Sequence, residues 1–231
     1  MVAQASRLCF RRLILGKLMT ATENRKPKTE NLRIFLTGVG GQGTLLASRL
    51  LGEAALAAGL NPLVSETHGM AQRGGIVVST VVLGALQSPI ISLGEADIVL
   101  GFEALETFRA LDRCHAGTLV IANAAAIVPY PVAIGQAQYP EVAKMFELMA
   151  AQVGSLLAFD AGACAREAGS PLAVNMVLLG ALAALGRLPF GAAEVLAVIR
   201  ARTNPKFLES NLKAFQLGEA AARDDGNWRR R

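Results

Sequence analysis

The chain has 231 residues, 52% of them hydrophobic and 18% charged, and a net charge of +5. Its length suits one sizeable domain, and its apolar runs are interrupted before they reach the roughly 18–20 residues that a membrane-spanning helix needs. The three cysteines lie far apart and form no C-x-x-C pair, which argues against an iron–sulfur cluster or structural zinc held by this chain alone. We therefore expect no metal site and no membrane segment. We expect a reducing, cytoplasmic setting.

The positive charge lies at the ends of the chain. Residues 1–33 carry eight Lys or Arg and two Glu, a balance of +6, whereas residues 34–222 carry 11 basic and 14 acidic residues, a balance of −3. Because the body is not basic and no aromatic residues are interleaved with the terminal charges, nucleic-acid binding is not expected. Residues 1–31 are interpreted as a disordered tail, or as an incorrectly assigned start with translation beginning at Met19.

Short apolar runs alternate with longer Ala- and Leu-rich segments through the first 160 residues. Strands are predicted at 34–37, 63–66, 76–83, 97–102, 118–122 and 156–159, and helices at 44–59, 103–111 and 141–153. The remaining pattern predicts helices at 161–168, 172–185, 191–202 and 205–217, with stops at Gly169, Gly186 and Gly218. This order predicts a Rossmann-like, doubly wound, mostly parallel sheet with a helical C-terminal third. It predicts one domain over 32–218 and a flexible tail over 219–231.

A glycine-rich turn, residues 38–43 with the sequence GVGGQG, follows the first predicted strand and opens the first predicted helix. Its spacing matches that of dinucleotide and phosphate loops, and the N–H groups of a helix N-terminus favour an anion. Glu66 lies 23 residues after Gly43, near the position of the acid that binds ribose in NAD enzymes. The small residues would equally serve to pack the turn. The candidate ligand-binding residues here are Gly38, Gly40, Gly41, Gln42 and Gly43.

A second polar motif follows the second predicted strand, where ligands of open α/β sheets gather. Arg73 precedes two glycines, so its guanidinium could pair with a carboxylate or phosphate without crowding, or with a partner subunit. His68 is the candidate acid or base, although no carboxylate partner is identifiable from the sequence. The candidate binding residues of this motif are His68, Gln72, Arg73, Gly74 and Gly75.

The two motifs together resemble the gamma-type domain of the 2-oxoacid:acceptor oxidoreductases, and the version His68-Gly69-Met70-Ala71-Gln72-Arg73-Gly74-Gly75 is similar to that of the indolepyruvate-specific members. Supporting matches follow in the same order along the chain, at residues 88–89, 94–97, 179–182, 188–190 and 211–215. The resemblance covers about residues 32–218, nearly the whole predicted domain.

The resemblance implies a cytoplasmic subunit of a heteromeric enzyme that is inactive alone. It implies an enzyme that decarboxylates an aryl 2-oxoacid such as indolepyruvate, with coenzyme A as co-substrate, and that yields acyl-CoA, carbon dioxide and reduced ferredoxin. Thiamine diphosphate, its Mg ion and 4Fe-4S clusters would lie on a partner alpha subunit, and ferredoxin would interact indirectly. The sequence of this chain has no Gly-Asp-Gly motif with a following Asn of the kind that holds thiamine diphosphate.

Two other interpretations stay open. The chain could be a stand-alone NAD(P)-binding oxidoreductase or regulatory module, with Gly38, Gly40, Gly43 and Glu66 as its nucleotide site. It could also be a structural interaction protein in which both loops serve only for packing. The first of these alternatives requires Glu66 to reach a ribose bound at the glycine-rich turn.

Overall fold

The computed structural model describes residues 31–67, 75–126 and 138–229. Within these ranges the strands are β1 (Leu32–Val39), β2 (Leu63–Thr67), β3 (Ile76–Leu83), β4 (Ala96–Gly101), β5 (Cys114–Asn123), β6 (Ser155–Phe159) and β7 (Trp228–Arg229). The helices are α1 (Thr44–Ala57), α2 (Ala104–Arg109), α3 (Val142–Gln152), α4 (Ala161–Glu167), α5 (Val174–Ala184), α6 (Ala192–Arg202) and α7 (Pro205–Arg223). The predicted doubly wound, mostly parallel sheet with a helical C-terminal third is confirmed.

The described strands form one sheet in the order β2-β3-β1-β4-β5-β6-β7. The central strands β1, β4, β5 and β6 pair in parallel, whereas β3 is antiparallel to both β1 and β2. Only eight residues separate the end of β2 from the start of β3. A parallel pair needs a crossover of a dozen or more residues, so this short connection permits only the antiparallel arrangement.

Helices cover both faces of the sheet. Successive residues of a strand point to opposite faces, so neighbouring residues are buried against different helices. Ile34 and Leu36 of β1 are buried in one apolar cluster, together with residues of α1 and α4–α7. Phe35, between them in sequence, is buried in a second cluster with residues of α3. The C-terminal helices therefore pack on the same face as α1, the helix that follows the glycine-rich turn.

Helices α5 and α7 cross in close contact at two glycines. A β-carbon added to Gly180 would lie 2.0 Å from the carbonyl oxygen of Phe215, and one added to Gly218 would lie 1.9 Å from that of Val177. The prediction that Gly218 ends the last helix is wrong, because α7 continues to Arg223 and Gly218 serves to let the two backbones approach. Gly169 and Gly186, in contrast, have the positive φ of helix-ending glycines, 93° and 61°.

Residues 219–229 do not form the predicted tail. The last turn of α7 leads through a short 3-10 helix, Asp225–Asn227, into β7, which pairs antiparallel with Leu156 and Leu157 of β6. The indole N–H of Trp228 donates a hydrogen bond of 3.1 Å to the carbonyl oxygen of Ala222. These contacts hold the end of the described chain against the sheet edge. None of the described helices is both long enough and apolar enough to cross a membrane.

Candidate functional site at the carboxyl edge of the sheet

The parallel strands bring four chain segments together at one edge of the sheet. In the sheet register Thr37 lies beside Gly101, Gly101 beside Ala122, and Asn123 beside Phe159. Ligands of open α/β sheets bind at this carboxyl edge. The glycine-rich turn of residues 38–43, called the glycine loop below, leaves β1 here and passes directly into α1.

The glycine loop leaves the N-terminus of α1 without a side-chain cap. Gly43 precedes the helix with a φ of 80°, and Gly41 has a φ of 99°, conformations that side-chain-bearing residues rarely adopt. The N–H groups of the first turn of this 14-residue helix carry the positive end of its dipole. The loop can therefore receive an anionic group such as a phosphate or carboxylate.

Gly38 is required by packing rather than by access to a ligand. A β-carbon there would lie 2.7 Å from Oε1 of Gln42 and 2.7 Å from Cβ of Phe102. The loop folds over this position, because Oε1 of Gln42 accepts a hydrogen bond of 2.7 Å from the backbone N–H of Val39. The first glycine of the predicted ligand loop thus makes room for a side chain of the same loop.

The carbonyl oxygen of Phe102, just after β4, accepts hydrogen bonds from two side-chain amides. Nε2 of Gln42 donates at 2.8 Å and Nδ2 of Asn123 donates at 3.0 Å. Asn123 was not among the residues expected from the sequence. A polar residue at the carboxyl end of a predicted strand is the signal that identifies it.

Two further polar side chains lie beneath the loop. Thr44 is 2% exposed, and its Oγ1 has no hydrogen-bond partner among the described residues. Asn175 at the start of α5 is 4% exposed, and a β-carbon added to Gly43 would lie 2.6 Å from its Nδ2. Oδ1 of Asn175 accepts a hydrogen bond of 3.0 Å from the N–H of Met176.

A buried acidic cluster follows β4 at the same edge. Glu103 and Glu106 are both buried, and the hydroxyl of Tyr139 donates a hydrogen bond to Oε1 of Glu103. Burial raises the pKa of Glu106, the neighbouring Glu103 raises it further, and Arg109 opposes the shift. Burial together with the bond to Glu103 also raises the pKa of Tyr139. Tyr139 therefore acts in this cluster as a hydrogen-bond donor at neutral pH.

Only part of the second motif falls within the described residues. The N–H of Gly40 donates a hydrogen bond of 2.9 Å to the carbonyl oxygen of Gly75, so the end of this motif lies beside the glycine loop. His68, Gln72, Arg73 and Gly74 lie outside the described residues.

Glu66 does not occupy the position that an NAD-type site requires. Its carboxylate accepts hydrogen bonds of 2.8 and 2.9 Å from the guanidinium of Arg49. Its strand, β2, is separated from β1 by β3, which places it two strand spacings, about 10 Å, from the strand that leads to the glycine loop. Glu66 is therefore directed to α1 rather than to a ribose at the loop.

An apolar groove opens beside α1, with a volume of about 260 Å³. Leu172 and Phe207 on its walls are 79% and 49% exposed. The lining residues are Leu46, Leu50, Ser170, Leu172, Asn175, Met176, Arg202, Thr203, Asn204, Phe207 and Asn211. Asn175 belongs both to this groove and to the packing under the glycine loop. Across residues 31–67, 75–126 and 138–229, no three His, Cys, Asp or Glu side chains are grouped to hold a metal ion.

Comparison with known proteins identifies relatives of this chain. Residues 33–221 match the family model described as pyruvate ferredoxin/flavodoxin oxidoreductase. Indolepyruvate oxidoreductase subunit IorB of Pyrococcus horikoshii is 42% identical over 193 residues, which is 83% of this chain and 96% of the relative. The subunit of the same name from Methanothermobacter thermautotrophicus is 38% identical and matches over 83% of this chain and 98% of its own length. The 2-oxoglutarate synthase subunit KorC of Archaeoglobus fulgidus is 30% identical, over 83% of this chain and 87% of the relative.

Solved structures share the fold. The gamma subunit of keto/oxoacid ferredoxin oxidoreductase from Geobacter sulfurreducens PCA matches with a TM-score of 0.61 and 24% identity, over 83% of this chain and 98% of that one. The 2-oxoglutarate:ferredoxin oxidoreductase from Magnetococcus marinus, a structure with 2-oxoglutarate, coenzyme A and succinyl-CoA bound, matches with a TM-score of 0.64 and 22% identity, over 84% of this chain and 31% of that one. At these identities the likeness establishes the fold alone.

Proposed function

Because the chain belongs to the pyruvate ferredoxin/flavodoxin oxidoreductase family, we propose that it is a subunit of a heteromeric 2-oxoacid:ferredoxin oxidoreductase that acts on an aryl 2-oxoacid such as indolepyruvate. The observation that carries this proposal is the identity of 38–42% with IorB subunits, which exceeds the identity of 30% or less with KorC subunits. The substrate class is inferred from that difference.

The proposed reaction joins the acyl part of the 2-oxoacid to the sulfur of coenzyme A. Carbon dioxide leaves, the thiol proton is released, and the electron pair from the cleaved carbon–carbon bond reduces ferredoxin. Thiamine diphosphate with its Mg ion would supply the electron sink that decarboxylation needs, and 4Fe-4S clusters would carry the electrons. The proposal assigns these groups to a partner alpha subunit and the whole enzyme to the cytoplasm, where coenzyme A and ferredoxin are used.

Within this chain the proposal assigns the glycine loop to an anionic group of coenzyme A. The support is the N-terminus of α1, which lacks a side-chain cap, and the hydroxyl of Thr44, which has no hydrogen-bond partner among the described residues. The N–H groups of this helix terminus and the hydroxyl of Thr44 can each donate a hydrogen bond to a phosphate oxygen. Arg73 and Gln72 are proposed to add contacts from the second motif, and His68 is the proposed acid or base.

Purification of the tagged chain from its source cells tests the proposal. We expect a large partner to co-purify, to give the brown absorbance of iron–sulfur clusters and to contain thiamine diphosphate. The complex should reduce ferredoxin only when indolepyruvate and coenzyme A are both present, and 2-oxoglutarate should be a poor substrate. A colourless chain without a partner, or a complex that prefers 2-oxoglutarate, would contradict the proposal.

A further inference from the structure

Phe102 is fixed at both of its backbone polar groups, the N–H and the carbonyl oxygen. Its N–H donates a hydrogen bond of 2.8 Å to the carbonyl oxygen of Thr37, which ties the end of β4 to β1. The carbonyl oxygen of Phe102 itself accepts the amide N–H groups of Gln42 and Asn123. A carbonyl oxygen has two lone pairs, so these two donors fill its capacity.

The oxygen atoms of the same two side chains bind backbone elsewhere. Oε1 of Gln42 accepts from the N–H of Val39, which closes the glycine loop on itself. Oδ1 of Asn123 accepts from the N–H of Ala125 at 3.2 Å and from that of Ala161, the first residue of α4, at 3.1 Å. One carbonyl oxygen thus connects the carboxyl ends of β1, β4 and β5 with the start of the helix after β6.

We propose that Gln42 and Asn123 are positioning residues that set the shape of the glycine loop before a ligand arrives. Each amide donates to the carbonyl oxygen of Phe102 and accepts from backbone N–H groups, so both side chains are held in place by the protein itself. When the loop is already ordered in the free protein, binding does not have to order it, so less conformational entropy is lost and the affinity is higher. The inference rests on the proposed function, in which the loop binds coenzyme A.

Two substitutions remove the donors and keep the acceptors. Gln42→Glu retains an oxygen for the N–H of Val39, and Asn123→Asp retains one for Ala125 and Ala161, but each places an ionised oxygen against the carbonyl of Phe102. We expect each variant complex to show a KM for coenzyme A raised about tenfold at pH near 8, the equivalent of one lost hydrogen bond. The KM for the 2-oxoacid and kcat should change much less, since the proposal assigns both amides to support of the glycine loop and not to the reacting atoms.

The pH profile supplies a readout that a purely structural defect does not produce. When the carboxyl group introduced by Gln42→Glu is protonated, its O–H can donate to the carbonyl oxygen of Phe102 and replace the lost N–H. Its KM for coenzyme A should therefore fall toward the wild-type value as the pH is lowered from about 8 to about 6, because a carboxyl group beside a carbonyl oxygen has a raised pKa. The wild-type KM measured over the same range is the reference.

The exposed Gln87 provides a matched control. It lies beyond the opposite edge of the sheet and donates only a long bond of 3.5 Å to the carbonyl of Ala85, so Gln87→Glu makes the same chemical change away from the site.

A wild-type complex without coenzyme A-dependent activity would refute the proposed function itself. An active complex in which Gln42→Glu and Asn123→Asp keep the wild-type KM would overturn the positioning role. Failure of both variants to assemble would also overturn it, because the amides would then serve the fold as a whole.

Discussion

The side-chain amide of Asn175 occupies the space that a side chain at Gly43 would need. A β-carbon at Gly43 would lie 2.6 Å from Nδ2 and 3.0 Å from Cγ of Asn175. Gly43 ends the glycine loop and Asn175 lies at the start of α5 in the helical C-terminal third, so this contact joins the two parts of the chain at the candidate site. It also explains why the loop has the residue without a side chain at this position.

Gly43→Ala should disturb the loop more than Gly41→Ala does. Both residues have positive φ, so alanine at either position costs about 1–2 kcal/mol of backbone strain. Only Gly43→Ala adds a steric clash, worth about 1–3 kcal/mol more, since nothing lies within 4 Å of a β-carbon at Gly41. Chemical unfolding of the two variants measures the difference. Asn175→Ala in the Gly43→Ala background should recover the part due to the clash, and equal losses for the two single variants would contradict this explanation.

Gly218→Ala should destabilise the protein by about 3 kcal/mol, the upper end of the cost of overpacking a core. The new methyl group would meet the carbonyl oxygen of Val177 at 1.9 Å, and backbone cannot move aside as a flexible side chain can. Thermal and denaturant unfolding measure the loss. Gly191→Ala is the control, because its β-carbon would meet the end of a side chain, Oε2 of Glu194, at 3.3 Å, and no backbone atom nearer than 4.0 Å. Similar unfolding midpoints for the two variants would show that α5 and α7 do not cross this closely.

Glu106→Gln should change how stability depends on pH. Burial raises the pKa of Glu106 in the folded chain, so the folded state holds this proton more tightly than the unfolded state does. The stabilising contribution of protonated Glu106 to the free energy of unfolding is present at low pH and is lost as the pH rises through the raised pKa. Relative to Glu106→Gln, the wild type should therefore be favoured near pH 4 and lose that advantage toward about pH 7. Unfolding free energies measured across this range test the sign, with the exposed Glu209→Gln as a control, and a constant difference would contradict it.

Arg73→Ala separates a ligand contact from a subunit contact, although the residue lies outside the described residues. If Arg73 binds an anion, the complex should assemble normally while its KM for coenzyme A rises about tenfold or more, as for the loss of a charged hydrogen bond. Arg73→Lys should recover part of the affinity because it keeps the charge but loses the bidentate geometry. Gel filtration of the complex is the second measurement. Failed assembly with Arg73→Ala would assign the residue to the interface instead.

Most of the fold was predictable because its elements carry strong local patterns. The β-branched run 76–83 is β3 with the predicted bounds, and most other predicted elements are recovered with small shifts at their ends, although α7 continues to Arg223, past its predicted end at residue 217. The direction of β3 was not predictable from its composition, since an apolar run has the same appearance in parallel and antiparallel pairs. Gly218 could not be distinguished from a helix stop for a related reason: glycine serves both turns and close helix crossings.

The candidate site was only partly predictable. The spacing of Gly38, Gly40 and Gly43 indicates a loop at a helix N-terminus, and the structure has one there. The same spacing does not predict the hydrogen bond from the side chain of Gln42 to Phe102. Phe102 is distant in sequence and accepts this bond with its backbone carbonyl oxygen. Glu66 fits the sequence spacing of a ribose-binding acid, and only the strand order shows that β3 separates it from the loop.

The two residues of β7 have a consequence for biosynthesis. They cover part of an outer strand that the ribosome has completed some 70 residues earlier, at Ser155–Phe159. Until residues 228–229 have been synthesised, the nascent chain presents the unpaired backbone groups of that strand, which can template contacts with other chains. A chain truncated just before Trp228 would therefore keep nearly all of the core described above and have a greater tendency to aggregate.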